Sequence, residues 1–443
     1  MREQLSARAE RSLPGLLGFT VFAFACGSSV VDLFELVGRP LRWASLVALA
    51  AASVGLAVGA RPPTRRLRLA AIGAASLVCL AAVSAAWSVD PRVSSGRAGS
   101  LGVLLLAAAA LAAGAAGRPE LIRRLLTAIL AAAVVVAAAG LVVLALVHGS
   151  AVQAASDQYG ARYRGMGQNP NTVAALFCVA LPLAAWQVWE RRTRWARLAA
   201  LAAFALLEGS IVASGSRGAL LSGAVALVVF GSLAARSART RGTLLAGVAA
   251  LTVVSVGLAQ IPNAEQSGRT APPPQTRNAE RILPLDREIG RGDPSAPAPG
   301  IKRRLLGGSG RTVAWRGALD RAAERPLAGY GFGTEEQVFV DRYYYFAAGA
   351  PENSYLGVLL QLGVAGLACL VALALGLLAA GVAAARGLAG APRRAAAAAA
   401  AVLAGGLALA LTQSYLVSVG NVATASVWIS GFLALAGRAG RTT

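Results

Sequence analysis

The sequence contains few charged residues and few of the side chains that build disulfide frameworks or metal sites. Only 14% of its 443 residues are charged, whereas a soluble protein has roughly 25%. It has one histidine, one lysine and four cysteines. The cysteines lie in apolar stretches without metal-ligand spacing, so they predict neither a disulfide framework nor a metal centre. The composition therefore excludes most soluble classes and the cysteine-rich secreted domains.

The sequence is instead rich in long hydrophobic stretches. Hydrophobic residues make up 56% of the chain, and many stretches approach the ~20 apolar residues that cross a bilayer core. We expect an all-α fold, a polytopic transmembrane helical bundle of about twelve helices. The predicted helices are 13–31, 42–60, 68–87, 98–117, 122–147, 171–189, 197–213, 217–235, 243–260, 353–383, 395–416 and 421–437.

The arginines predict the topology. The net charge of +22 is spread over the loops, which argues against nucleic acid as a partner. Alternate connections and the two terminal segments carry 22 arginines, and the opposite set of short loops carries seven. Short basic loops stay in the cytoplasm, so we expect both termini there. Residues 1–260 then hold nine helices, 261–352 form a large extracytoplasmic loop, and 353–443 hold three more helices.

The large loop divides into two parts. Residues 262–300 are rich in Pro, Gly and charge, which is typical of mobile or only locally ordered chain. Residues 309–325 predict a short amphipathic helix that is stopped by Pro326. Its apolar residues are Val313, Ala314, Ala318 and Leu319, with Trp315 beside them. The aromatic run DRYYYF follows at 341–346 and is suited to the outer membrane interface.

Four polar motifs lie against membrane helices on the predicted outer side. They contain the residues Arg162, Arg164, Asn169, Asn171, Ser216, Arg217, Arg311, Glu352, Asn353, Ser354, Tyr355 and Gln361. Three of the motifs fall at helix starts, where Asn169 or Asn171, Ser214 or Ser216, and Asn353 or Ser354 are candidate N-caps. Helix N-termini together with arginine forks form sites suited to a diphosphate.

Each of these charges also has a simpler explanation. Arg217 can extend to the outer lipid headgroups, and Arg164 can pair with Asp157 within its loop. Arg311 can lie on a solvated helix face. Glu352 can cap its helix, because acids are favoured at helix N-termini. The occurrence of all four motifs on one side of the membrane is what favours a common site.

The motifs resemble those of the O-antigen ligase and O-antigen polymerase superfamily of bacterial membrane glycosyltransferases, over roughly 160–370. The number of spans and the position of the large outer loop, between the ninth and tenth helices, also agree. The family usually has histidine where this chain has Glu352. The matching residues are Arg164, Gly165, Asn169, Pro170 and Asn171; Ser216, Arg217 and Gly218; Arg311, Trp315, Pro326, Leu327, Gly329, Gly331 and Gly333; and Asn353, Ser354, Tyr355, Leu356, Gly363 and Gly366.

The resemblance implies transfer of a glycan from an undecaprenyl-diphosphate donor to an acceptor hydroxyl, a glycan or a lipid, at the outer face of the cytoplasmic membrane. Arg217 and Arg311 would stabilise the leaving diphosphate, and Glu352 would be the base. The remaining candidates, which are Arg164, Asn169, Asn171, Ser216, Asn353 and Tyr355, would bind substrate. The predicted outer face has no Asp or His cluster with metal-ligand spacing, so we expect catalysis without a metal or other cofactor.

Other functions remain open at this point. A ligase and a polymerase fit the motifs equally well. A transporter or flippase of lipid-linked glycans would place ionisable groups near the bilayer midplane, where Glu208 is the candidate, paired in the simpler case with a serine of a neighbouring helix. The replacement of the family histidine by Glu352 also leaves room for a non-catalytic assembly partner.

Overall fold

The computed structural model describes residues 2–60, 62–154, 161–259, 311–339 and 350–437, with the side chains of 2–9, Thr312 and Val313 excepted. Helices dominate, which confirms the predicted polytopic helical bundle. Within these ranges nine helices are long and apolar enough to cross a membrane. The helices are α1 (Arg2–Cys26), α2 (Asp32–Val58), α3 (Arg65–Val83), α4 (Pro91–Ala115), α5 (Pro119–Leu146), α6 (His148–Ala151), α7 (Pro170–Glu190), α8 (Arg194–Ser214), α9 (Arg217–Ala234), α10 (Ala238–Leu258), α11 (Arg311–Glu324), α12 (Glu335–Val338), α13 (Ser354–Gly387), α14 (Gly390–Leu409) and α15 (Thr424–Ala436).

The core lies where α7, α14 and α15 pack together. The alanines of α14 from Ala395 to Ala401 are all buried, because small side chains let neighbouring helices approach closely. By contrast, α10 buries only Ser255 and lies at the periphery. Two short antiparallel strands, β1 (Val152–Gln153) and β2 (Arg162–Tyr163), form a hairpin between α5 and α7.

The connections lie at two opposite ends of the bundle, which we call the loop end and the arginine end. The loop end holds 27–31, 84–90, 147–169, 215–216, 311–353 and 410–423 as far as they are described, and contacts join them, such as the Ser29–Gly167 bridge and the Asn353–Ser414 hydrogen bond. The arginine end holds 59–60, 62–64, 116–118, 191–193, 235–237 and 388–389. Its contacts include ion pairs Arg118–Glu10 and Arg394–Glu190. This alternation matches the predicted grouping of loops.

Several predicted helix boundaries are wrong; for example, α1 begins at Arg2 rather than at 13 and α4 at Pro91 rather than at 98. Two of the errors change where a connection lies. Residues 39–42 were expected to form a loop, but they lie inside α2, where Arg39 pairs with Glu35 one turn earlier. The turn falls instead at 27–31, where Gly27 and Gly38 pack so closely that a Cβ on Gly38 would lie 2.3 Å from the Gly27 nitrogen. Likewise α14 ends at Leu409 rather than at 416, and an irregular connection, 410–423, follows it.

The amphipathic helix of the large loop is present as α11. Ala314, Ala318 and Ala322 are buried and pack on α13 beside Phe339 and Leu360, whereas the predicted apolar residue Leu319 is half exposed. The expectations for 262–300 and for the aromatic run 341–346 lie outside the described residues.

Candidate functional site

A glycine-rich segment inserts into a break in α13. Gly363 has φ +63° and ψ −163°, which interrupts the helix. The chain around Leu327 fills the gap, because a Cβ on Gly363 would lie 2.3 Å from the Leu327 carbonyl. The Val364 N–H donates to the Pro326 carbonyl at 2.7 Å. We name residues 326–334 the inserted loop.

The break exposes backbone carbonyls that the inserted loop then satisfies. The N–H groups of Tyr330 and Gly331 donate to the carbonyls of Leu360 and Gln361 at 3.0 and 2.9 Å. Gly331 has φ +104°, and its missing side chain makes room for Ser88. The inserted loop therefore joins α13 to the turn before α4, and its spaced glycines mark close backbone approaches.

Replacing Gly363 with alanine should therefore destabilise the protein by more than about 2 kcal/mol, because it combines a left-handed backbone with a steric clash. Gly376→Ala in the same helix is a matched control, since its Cβ would meet nothing within 4 Å. We expect that control to be neutral or stabilising by up to about 1 kcal/mol. Thermal unfolding of the purified proteins measures both; equal stability of the two variants would contradict the insertion.

Helix α11 positions Arg311 at the loop end. The Trp315 indole donates to the Pro351 carbonyl at 2.9 Å, which fixes the start of α11 beside the residues that precede α13. Arg311 Nη2 then donates to Glu352 Oε2 at 2.7 Å, with both side chains about a quarter exposed. Its Nε is buried and has no hydrogen-bond partner among the described residues. The hydrogen-bond donors of this guanidinium are thus only partly used.

Glu352 has an unusual backbone conformation. Its φ of +46° makes it the one non-glycine residue with positive φ among those described. Such a conformation costs a non-glycine residue about 1–2 kcal/mol and is found preferentially at functional sites. The alternative that Glu352 caps α13 is not seen, because Asn353 Oδ1 accepts from the N–H groups of Tyr355 and Leu356.

Arg217 begins α9 beside this pair. Gly215, with φ +61°, ends α8, and α9 begins two residues later. A Cβ on Gly218 would lie 2.4 Å from Thr412 Oγ1, so the Ser-Arg-Gly run brings α9 tightly against the 410–423 connection. The charge of Arg217 interacts with that of Arg311. Arg217 and the Arg311–Glu352 ion pair therefore lie at the same end of the bundle.

The remaining candidates have structural partners. Asn169 caps α7, accepting from the N–H groups of Asn171 and Thr172 at 2.9 Å. Ser216 occupies the N-cap position of α9 without a side-chain cap bond. The Tyr355 hydroxyl donates to the Leu407 carbonyl of α14 rather than to Glu352.

The two arginines of the 147–169 connection differ in their contacts. Arg164 donates to the carbonyls of Ser150 and Gly149 at 2.8 and 3.3 Å, and the alternative partner Asp157 lies outside the described residues. Arg162 donates to the Ser214 carbonyl and to Asn171 Oδ1 at 2.7 and 2.9 Å. Arg162 therefore joins the α8–α9 turn to the start of α7, a linking role that the motif alone did not assign to it.

Sequence reasoning missed a second carboxylate, Glu335. Its oxygens accept from Ser414 Oγ at 2.7 Å and from Gln361 Nε2 at 3.2 Å. Ser414 Oγ also accepts from the Asn353 N–H, which follows Glu352 directly. Burial raises the pKa of Glu335 to about 7, helped by the charge of Glu336 and opposed by those two hydrogen bonds and by Arg97. The local sequence, in which Glu335 follows a Gly-Thr pair, gave little indication that this carboxyl is buried and hydrogen-bonded.

The raised pKa predicts a pH-dependent stability. The stabilisation that the neutral Glu335 carboxyl gives to the fold is fully present below its usual pKa. This stabilisation is lost as the pH rises through about 7. Wild-type protein should therefore lose roughly 1–3 kcal/mol relative to Glu335→Gln between pH ~5 and ~8. Glu336→Gln removes a charge from an exposed neighbour that is a lesser cause of the raised pKa than burial, and it should keep most of the wild-type slope. Thermal unfolding across this range tests it, and parallel curves for wild type and Glu335→Gln would refute it.

The transporter candidate Glu208 has a local partner. Ser255 Oγ of α10 donates to Glu208 Oε1 at 2.6 Å, which is the simpler alternative that the sequence offered for this residue. Glu208 lies within α8, away from the ends where the other charged candidates lie. It forms a helix–helix contact and takes no part in the cluster at the loop end.

Comparison with known families finds a similarity over part of the chain. A family model described as O-antigen ligase matches residues 201–371, which covers Arg217, Arg311 and Glu352 but not the 147–169 connection. No curated protein matched the chain. The apolar helices and this match indicate a multi-pass protein of the inner membrane. The matched segment, residues 201–371, is therefore similar to the O-antigen ligase family.

Proposed function

We propose that the protein transfers a glycan from an undecaprenyl-diphosphate donor to an acceptor hydroxyl at the outer face of the cytoplasmic membrane. The observation that carries the proposal is the ion pair of Arg311 with the strained Glu352, with the charge of Arg217 beside it. A carboxylate held next to two cations provides a proton acceptor and an anion site in one place. The loop end is then the extracytoplasmic end.

The reaction needs one bond to form and one to break. The acceptor oxygen bonds to the anomeric carbon while the bond from that carbon to the diphosphate oxygen breaks. The electron pair of the broken bond leaves with the lipid diphosphate, and the hydroxyl proton passes to Glu352. Because negative charge grows on the diphosphate, preorganised guanidinium donors lower the barrier. Arg217 and Arg311 have this role.

The other candidates support these three residues. Asn353 fixes the backbone after Glu352 by capping α13. Asn169, Asn171 and Ser216 lie at helix starts, where the positive end of the helix dipole adds positive potential. Arg164 lies on the 147–169 connection near the same end, where it would contact the glycan or the acceptor, and Tyr355 would help to shape the pocket. We assign no metal ion to the reaction.

Incubating purified protein with an undecaprenyl-diphosphate oligosaccharide and candidate acceptors tests the proposal. Product sizing distinguishes a single addition, typical of a ligase, from a ladder, typical of a polymerase. Transfer should persist in EDTA. Movement of the lipid-linked glycan across proteoliposomes without any product would favour a transporter instead, and the absence of both activities would favour an assembly partner.

A further inference from the structure

A cleft of about 620 Å³ opens between α1, α5 and the end of α7, and its lining includes neither the inserted loop nor the Arg311–Glu352 ion pair. One part of its lining is cationic and the rest is largely apolar. We name it the arginine cleft, after Arg11, Arg123, Arg124 and Arg191. These four side chains come from three separate segments and meet at the arginine end of the bundle.

The cationic part has a net positive charge. Glu120 contacts Arg123 and Arg124 at 3.2 Å each, so two of the four guanidiniums share one carboxylate, and no carboxylate is among the residues that line the cleft. These ion pairs are exposed, and exposed pairs are readily exchanged for other partners. Guanidinium forks grip phosphate oxygens in two places. The cleft entrance therefore has the chemistry of a phosphate site.

The apolar part continues from the arginines along both helices in the same direction. Phe19 and Val135 line it and remain 45% and 51% exposed. The segments from Arg11 to Phe22 and from Arg124 to Val135 each rise ~16 Å. That is about half of a ~30 Å hydrocarbon core, so the apolar lining has the depth of one leaflet.

We propose that the arginine cleft binds one anionic phospholipid from the leaflet at this end, with its phosphate among the four arginines and an acyl chain along α1 and α5. The combination of features argues for a lipid rather than a soluble anion, because a soluble anion would leave the half-exposed apolar side chains uncovered. Basic pockets between membrane helices at the cytoplasmic side are known to hold anionic headgroups. This site does not depend on the proposed glycan transfer.

Native mass spectrometry of the purified protein with phosphatidylglycerol or phosphatidylcholine tests the proposal. Wild-type protein should retain phosphatidylglycerol at least about tenfold better. The double variant Arg123→Gln, Arg124→Gln should lose that preference. The matched double variant Arg65→Gln, Arg66→Gln removes two exposed arginines at the same end outside the cleft and should keep it.

A second variant tests the acyl part separately. A Cβ at Gly15 would meet nothing within 4 Å, and Gly15 lines the cleft, so Gly15→Phe should fold and fill the cleft, lowering retention of phosphatidylglycerol severalfold. Soluble glycerol phosphate should not compete. Equal retention of the two lipids by wild type, an equal loss in the Arg65, Arg66 control, or competition by glycerol phosphate would each overturn the proposal.

Discussion

Replacing Arg217 or Arg311 with alanine should abolish detectable glycan transfer while the protein still folds and inserts. Removal of one preorganised donor to a developing anion typically costs about 10²–10³ in rate, and each of these residues supplies a whole guanidinium. Arg311→Ala has a second effect, because it also leaves the strained Glu352 without its partner. Product formation from a lipid diphosphate oligosaccharide measures the loss.

Matched variants separate the anion site from general loss of charge. Arg316→Ala removes an exposed guanidinium from the same helix as Arg311 and should transfer glycan at close to the wild-type rate. Lysine at 217 or 311 keeps the charge but loses the planar fork, so partial activity is expected. Normal turnover in both alanine variants would eliminate the arginine pair from the mechanism.

Glu352→Gln should have the other large effect, a severe loss of transfer, because the amide cannot accept the acceptor's proton. Glu352→His restores a proton acceptor of the type usual in the family and should be partly active. Single-turnover measurements of product formation compare the three proteins. If Glu352→Gln turned over normally, the carboxylate would serve only as the partner of Arg311.

The backbone at Glu352 allows a control for folding. Asparagine tolerates a positive φ better than other non-glycine residues, so Glu352→Asn should relieve strain that offsets the lost ion pair. The free energy of unfolding of this variant should stay within about 1 kcal/mol of the wild-type value, while glycan transfer is lost. A large fall in stability would mean that the carboxylate is needed for the fold.

Hydropathy located the helices well because membrane spans need continuous apolar sequence. It failed at 39–42 and 410–416, where the helix ends depend on tertiary contacts. Arg39 is compatible with helix α2 through its pairing with Glu35. The apolar residues Tyr415 and Leu416 leave the helix because their backbone N–H groups bind Ser354 Oγ, a contact that local sequence cannot show.

The order of polar motifs predicted Arg217, Arg311 and Glu352 as partners, and the structure shows a contact between Arg311 and Glu352. It did not predict Glu335, because that carboxylate reaches Asn353 only through Ser414, which is 79 residues away from it in the chain. Nor did it reveal the break in α13. A single glycine in an apolar helix, such as Gly363, can be present for many reasons. Only the close packing of Leu327 against it shows that the helix is interrupted there.

The inserted loop has a consequence for protein engineering. Because its backbone completes the hydrogen bonding of α13 at Leu360, Gln361 and Val364, the extramembrane segment and this helix form one structural unit. A chimera that exchanges the large loop between relatives at its apparent borders would leave those groups unsatisfied. Functional exchange should require the donor's sequence through Gly366, together with the turn around Ser88 that the same loop contacts.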